Sequence, residues 1–320
     1  MAVQQLVAPE HELGIPVPQI PRRTRTRSVL ALIRPEHWPK NAVIVPFVLI
    51  ALPSWTPRAA VQIAWIILAF TIASATVYIL NDVQDRHRDR LHPVKRLRPV
   101  ACGDVPVGIA YACAAGALAL LSLVIAVGVT LLDAPAQAIW PIAGYLIVNI
   151  AYSAWLKHVP LIDVFLVASG FVLRLLAGVL AISASLSSWL VLSIFCICLL
   201  FGIGKRRHEL VVLGSSSQQH RPSLAAYSVQ LLDYLALLSA GIGLMSFMSY
   251  LTTAAVVDTF GRLTLTLSAP FMLFATFRYL QLIVVHRTGG NPVRLLVRDR
   301  LLVVNCAIWS AGLLVAYLAA

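Results

Sequence analysis

The sequence predicts an all-α, polytopic membrane bundle of about nine transmembrane helices. Apolar residues make up 59% of the 320 and charged residues only 12%, whereas soluble domains carry about 25% charge. Mean hydropathy is +0.84. The apolar residues also gather into runs of the length that crosses a bilayer, about 20 residues each.

In chain order the runs fall at 42–56, 60–80, 106–132, 137–156, 161–182, 186–204, 229–255, 265–285 and 301–319. Lipid offers no hydrogen bonds to the backbone, so segments of this length span it as helices. The first is short and holds Pro46 and Pro53, which makes it the weakest of the nine. Residues 1–28 are polar and end in Arg22, Arg23, Arg25 and Arg27. They read as a flexible basic cytoplasmic arm, and no small-residue cleavage site follows to suggest a cleaved leader. Residues 29–320 read as a single transmembrane domain, with Ser215–Gln219 as a polar loop.

Orientation follows from the basic residues. Of 25 Lys and Arg, 21 lie before the first span and in the loops after the even-numbered spans; only Arg58 and Arg262 lie on the other side, and Arg174 and Arg278 fall within spans. Cytoplasmic loops carry the basic excess, so the N-terminus is expected to be cytoplasmic and the chain to sit in the inner (plasma) membrane. The net charge of +12 is thereby topological. Basic and aromatic residues are not interleaved on a polar domain, so no nucleic-acid partner is expected. The five cysteines include no CxxC pair and suggest neither a zinc site nor a disulfide framework. A homo-oligomer is compatible with the sequence, which gives no oligomeric state.

The residues that point to chemistry begin where the second span ends, at Asn81-Asp82-Val83-Gln84-Asp85-Arg86-His87-Arg88-Asp89. At 100° per residue Asp82, Asp85 and Asp89 fall within about 60° of one another on a helix. Three carboxylates on one face repel unless a cation lies between them. Mg2+ takes oxygen ligands and keeps waters and substrate phosphates in its shell. The competing interpretation is a solvated loop in which these aspartates pair locally with Arg86, Arg88 and Arg90.

Three other places carry charge or polarity worth testing. Lys205-Arg206-Arg207-His208-Glu209 closes the sixth span and is either a phosphate-binding group or ordinary topology-setting charge. Asp163, Gly170, Arg174 and Ala181 share one face of the fifth span. An intramembrane Arg is costly and faces the bundle interior, as a structural pair or as a ligand for a lipid phosphate. Tyr152 and Lys157 close the fourth span at the same mouth. Arg278 reads as a snorkelling cation, and Asp233 and Trp38 as interfacial residues.

The segment Asn81-Asp82-x-x-Asp85-x-x-x-Asp89 resembles the first acidic motif of the UbiA superfamily of intramembrane prenyltransferases, where it follows the second of nine helices and holds Mg2+ against the donor diphosphate. Arg34-Pro35-x-His37-Trp38-x-Lys40-Asn41, Lys95-Arg96-x-Arg98-Pro99, Gly204-Lys205-Arg206-x-x-Glu209-Leu210 and Asp299-Arg300 are similar to its decaprenyl-phosphate phosphoribosyltransferase branch. The resemblance covers about residues 30 to 319. The chain departs from typical prenyltransferases at the second acidic motif, where Lys205 and Glu209 stand in place of a carboxylate pair.

The resemblance implies Mg2+ on Asp82, Asp85 and Asp89, phosphoribosyl diphosphate as donor and a polyprenyl phosphate entering from the bilayer as acceptor. It further implies a product that serves cell-envelope arabinan synthesis. Asn81, Lys40, Asn41, Lys95, Arg98, Lys205, Arg206 and Glu209 become candidate substrate ligands beside Tyr152, Lys157, Asp163 and Arg174. Lys and Arg bind phosphate directly, so a cationic sixth span suits a donor with more phosphate and fewer metals. Two rivals stay open: a prenyl diphosphate donor with an aromatic or haem acceptor, and a lipid or anion transporter without chemistry.

Overall fold

The computed structural model describes residues 24–41, 56–91, 95–213 and 222–319. Among them every regular element is helical. The chain runs α1 (Arg25–Leu32), α2 (Pro57–Leu91), α3 (Val107–Leu131), α4 (Ile139–Ala154), α5 (Ile162–Ala181), α6 (Ser188–Leu213), α7 (Val229–Leu251), α8 (Ala254–Phe260), α9 (Arg262–Val284), α10 (Pro292–Arg298) and α11 (Arg300–Ala319), with short 3-10 turns between.

Among the described residues six helices are long and apolar enough to cross a membrane, with spans that begin at Pro57, Val107, Ile162, Ser188, Val229 and Thr266. The expected spans at 137–156 and 301–319 are helices too, Ile139–Ala154 and Arg300–Ala319, but the first is only 16 residues long and the apolar part of the second, Arg300–Val315, is also shorter. The run at 42–56 lies outside the described residues except for Thr56. Residues 1–23 of the expected arm also lie outside the described residues, and from Arg25 the described chain is helical. Helix α1 begins at Arg25, buries Leu32 and Ser28, and ties Ser28 Oγ to Asp104 Oδ2 at 3.2 Å.

Helix α2 determines the shape of the site. Its 35 residues rise about 52 Å at 1.5 Å each, well beyond the roughly 30 Å hydrocarbon core. Its last turns carry the acidic segment, with Ile79 and Val83 packed against Leu32, Val100 and Val105. Its first turns are fixed at the far end, where Gln62 Nε2 reaches the Leu132 and Asp133 carbonyls at 3.3 Å. Near the same end, the Trp65 indole packs against Gly128 of α3, where a Cβ would overlap the ring, and donates to the Val124 carbonyl at 2.7 Å.

Antiparallel neighbours place one end of several helices at a common rim: the C-termini of α2, α4, α6 and α9 and the N-termini of α3, α5, α7 and α11. Side chains join them there. Arg207 of α6 binds Asp233 of α7 at 2.5 Å and the Ile283 carbonyl of α9 at 2.7 Å, which satisfies a helix C-terminus that has no partner of its own. Arg278 of α9 binds Asp299 at 2.8 Å, and Asp299 Oδ1 accepts the Leu302 N–H at 3.0 Å to cap α11. Arg278 is thus paired across helices and does not snorkel, and Asp233 is an ion-pair partner within the bundle.

Candidate active site

On α2 the three aspartates leave the helix in two directions. Asp82 and Asp89, two turns apart, both meet Arg98 Nη1, at 3.2 and 2.6 Å. Arg98 precedes the helical turn Pro99–Cys102, which lies against α2. Asp85, displaced about 60° around the helix, turns instead to the α4–α5 connection, where Lys157 Nζ reaches its Oδ1 at 2.5 Å. One turn further, Arg88 Nη1 meets His158 Nε2 at 3.0 Å.

The N-terminal segment supplies a further cation. Arg34, between α1 and the 3-10 helix Pro35–Asn41, holds a positive φ of 46°, which side-chain-bearing residues seldom adopt. Its guanidinium binds Asp82 Oδ1 and lies 5.0 Å over the Tyr78 ring, one turn below Asp82. The His37 ring also packs on Tyr78, tilted by 58° with centroids 5.3 Å apart. Carboxylates and cations therefore alternate along this rim: Arg34, Asp82, Arg98 and Asp89 on one flank, Asp85 and Lys157 on the other.

A second network lies across the α4–α5 turn. Asp163, 0% exposed, accepts Arg206 Nε at 2.9 Å and the Tyr227 hydroxyl at 3.0 Å. Arg206 Nη1 also binds Glu209 at 2.6 Å, and Tyr152 interacts with it electrostatically. A third network is deeper. Arg174, expected on one face with Asp163, shares that buried face but does not bind Asp163. Its guanidinium donates to Asn41 Oδ1 at 2.8 Å, the Gly170 carbonyl at 2.7 Å and Tyr145 Oη at 3.1 Å, between the rings of Phe70, Phe171 and Tyr145.

Several expected ligand roles change accordingly. Asn41 is buried and engaged by Arg174, Thr71 and Ser74, so it anchors the N-terminal segment. Arg174 is the structural partner of the two interpretations. Arg206 is buried between Asp163 and Glu209 and faces away from bulk water. Lys95 and Lys205 are exposed and Asn81 and Tyr152 half-buried. The Lys40 side chain lies outside the described residues. Arg34, Tyr78, Tyr145 and Tyr227 were not among the expected site residues. Of these Tyr78 had a signal, its one-turn spacing from Asp82; Tyr227 is a lone residue in a polar stretch and had none.

The expectation that three carboxylates surround one cation is not met: among the described residues no group of three Asp, Glu, His or Cys stands at metal-binding spacing. Asp89 is buried onto Arg98. Asp82 is different. It is 1% exposed, and its Oδ2 is buried with no hydrogen-bond partner. A buried carboxylate oxygen without a donor is costly, and a hard divalent cation that takes oxygen ligands relieves that cost. Asp82 Oδ2 fits such an ion, while Asp85 is turned to Lys157 on the other flank.

With this geometry described, the relatives are informative. Residues 42–295 match the model of the UbiA prenyltransferase family. The chain is 34% identical over 226 residues to a decaprenyl-phosphate phosphoribosyltransferase of Mycolicibacterium smegmatis, covering 69% of each protein. It is 30% identical over 292 residues to one of Mycobacterium tuberculosis, covering 88% of this chain and 92% of that one. Among solved structures, a UbiA homolog from Archaeoglobus fulgidus bound to DMAPP and Mg2+ superposes with a TM-score of 0.64 over 91% of this chain and 99% of the other, at 19% identity, which speaks to fold alone. The chain is a multi-pass membrane transferase, and it belongs to the UbiA prenyltransferase family.

Proposed function

We propose that the protein transfers 5-phosphoribose from phosphoribosyl diphosphate to a polyprenyl phosphate at the cytoplasmic face of the inner membrane, releasing diphosphate. The observation that carries this reading is the alternation of Asp82 and Asp85 with Arg34, Arg98 and Lys157 at one rim of an apolar bundle. Carboxylates alone suit a metal, and cations alone suit an anion. The two interleaved suit a metal-bound polyphosphate. The activity named for the mycobacterial relatives points to the sugar donor, and the exposed Lys205 agrees with it.

Asp82 and Asp85 would hold Mg2+, which when bound neutralises charge on the leaving diphosphate. The chain's own groups do the rest. As donor enters, Arg34, Arg98 and Lys157 exchange carboxylate partners for phosphate oxygens, a trade between ligands of like charge and geometry. Lys95 and Lys205, both exposed, provide further positive charge at the mouth. The acceptor lies with its tail in the bilayer and its head at the rim. Its phosphate oxygen forms a bond to the anomeric carbon as the bond from that carbon to diphosphate breaks, through an oxocarbenium-like transition state. The nucleophile is already ionised at neutral pH, so no strong base is needed. Rate enhancement comes from positioning and charge stabilisation.

The test is transfer by the purified protein with phosphoribosyl diphosphate, decaprenyl phosphate and Mg2+. A phosphoribosylated lipid and free diphosphate are expected. The match to the UbiA prenyltransferase family favours a second reading, a prenyl diphosphate donor. Transfer from prenyl diphosphate to an aromatic acceptor, with none from the sugar donor, would replace the first reading with the second.

A further inference from the structure

The connection between α4 and α5 carries Lys157 and ends in a strained residue. Leu161 has φ 64° and ψ −49°, and the Ile162 N–H reaches the Pro160 carbonyl at 2.8 Å. Together these close a three-residue γ-turn of the positive-φ form, which is rare and strained. A leucine in this conformation persists only where its surroundings hold it, and such strain gathers at functional sites.

What holds it is the hydroxyl of Tyr227. Tyr227 Oη accepts the Leu161 N–H at 2.5 Å and donates to Asp163 Oδ1 at 3.0 Å. Asp163 is fixed in turn by Arg206 Nε at 2.9 Å. Burial pushes the Tyr227 phenol up to about 12, so it keeps its proton for donation throughout the physiological range. The 3-10 helix Pro222–Ala226, which leads into Tyr227, lies against the turn Leu156–His158. That turn delivers Lys157 to Asp85 at 2.5 Å and His158 to Arg88 at 3.0 Å. Tyr227 thus sits at one end of a short rigid path whose other end is the acidic rim.

We propose that Tyr227 is a positioning residue: by bridging the Leu161 amide and the Asp163 carboxylate, its hydroxyl holds the strained turn that aims Lys157 at Asp85 and so sets how tightly the donor's diphosphate is bound. The inference rests on the reading of the rim as a diphosphate site. A phenylalanine at 227 fills the same space but leaves both the amide and the carboxylate oxygen without that partner. The turn then relaxes from its positive-φ form, and Lys157 moves off Asp85.

The experiment is a double-mutant cycle on the full-length protein in detergent, read by the Kd of magnesium diphosphate and, separately, by the KM values of donor and acceptor. Tyr227→Phe is expected to weaken magnesium diphosphate binding about tenfold, the size of one lost hydrogen bond to a charged group, and to raise donor KM with acceptor KM unchanged. Lys157→Gln is expected to weaken binding similarly. The double variant is expected to be no weaker than Lys157→Gln alone, because coupled residues are not additive.

Glycine takes positive φ without strain, so adding Leu161→Gly to Tyr227→Phe is expected to restore most of the affinity. If Tyr227→Phe alone does not accumulate, this rescued pair takes its place and must accumulate with near wild-type binding. Additive losses, unchanged binding in Tyr227→Phe, or absence of rescue would each overturn the role assigned to Tyr227. A wild-type protein that binds magnesium diphosphate but transfers no phosphoribose would instead overturn the donor assignment, and the binding cycle would still judge Tyr227.

Discussion

Replacing Arg174 with Met, similar in length but neutral, isolates the deep polar network. The guanidinium is 6% exposed and makes three side-chain bonds to other elements: Asn41 at 2.8 Å, Tyr145 at 3.1 Å and Ser74 at 3.4 Å. Among the described residues no carboxylate is paired with it. Hydrogen bonds between helices in a membrane contribute about 0.6 kcal/mol on average and up to about 1.7, so three of them amount to about 2–5 kcal/mol. Met also removes the cost of burying the cation, which brings the expected net loss to the lower end, about 2 kcal/mol. The assay is equilibrium unfolding in detergent followed by tryptophan fluorescence. Arg174→Lys should be destabilised as well, since one ammonium cannot reproduce the planar fork. Asn41→Ala should couple to Arg174→Met by more than about 0.5 kcal/mol. A methionine variant as stable as wild type, or full additivity with Asn41→Ala, would refute the view that Arg174 fastens the N-terminal segment to the bundle.

Two further outcomes follow from packing and charge. Gly128→Ala should destabilise by about 1–3 kcal/mol, because the new methyl meets the Trp65 ring. Gly116→Ala, with nothing within 4 Å of its Cβ position, should stay within about 0.5 kcal/mol in the same unfolding assay. At the rim, the Arg278 guanidinium bonded to Asp299 holds that carboxyl below the usual carboxylate range. The unfolded chain then binds the proton more readily. The pair therefore stabilises the fold above the ordinary carboxylate range of about pH 4, and that contribution is lost as pH falls through the depressed value. Asp299→Asn should flatten this acid limb in unfolding midpoints measured from neutral pH downwards, and an unchanged limb would assign it to other groups.

The helices were legible because lipid imposes a length and an apolar composition on each. The runs at 60–80 and 229–255, for instance, became Pro57–Leu91 and Val229–Leu251. The shared face of Asp163, Gly170 and Arg174 was legible for the same reason: helical periodicity is local. The acidic rim was legible as a cluster but not in its pairing. Arg34 and Asp82 lie 48 residues apart and Lys157 and Asp85 72 apart, and no local pattern encodes such distances. A 60° offset on a helix looks like convergence until neighbouring elements are present on both flanks. Arg206 read as a phosphate ligand from the family resemblance and as topology-setting charge from its place after a span; both readings leave it solvated, and its burial depends on Asp163, which belongs to another helix. Tyr227 and the Leu161 turn were silent, since backbone strain leaves no mark on residue type.

The most direct test of the central claim is Mn2+ binding followed by electron paramagnetic resonance, with and without phosphoribosyl diphosphate, in wild type, Asp82→Asn and Asp89→Asn. Donor should tighten Mn2+ binding in wild type. Asp82→Asn should abolish that binding while the protein still folds, and Asp89→Asn, whose carboxylate is committed to Arg98, should retain most of it. Undiminished donor-dependent Mn2+ binding in Asp82→Asn would contradict the assignment of the metal to this rim.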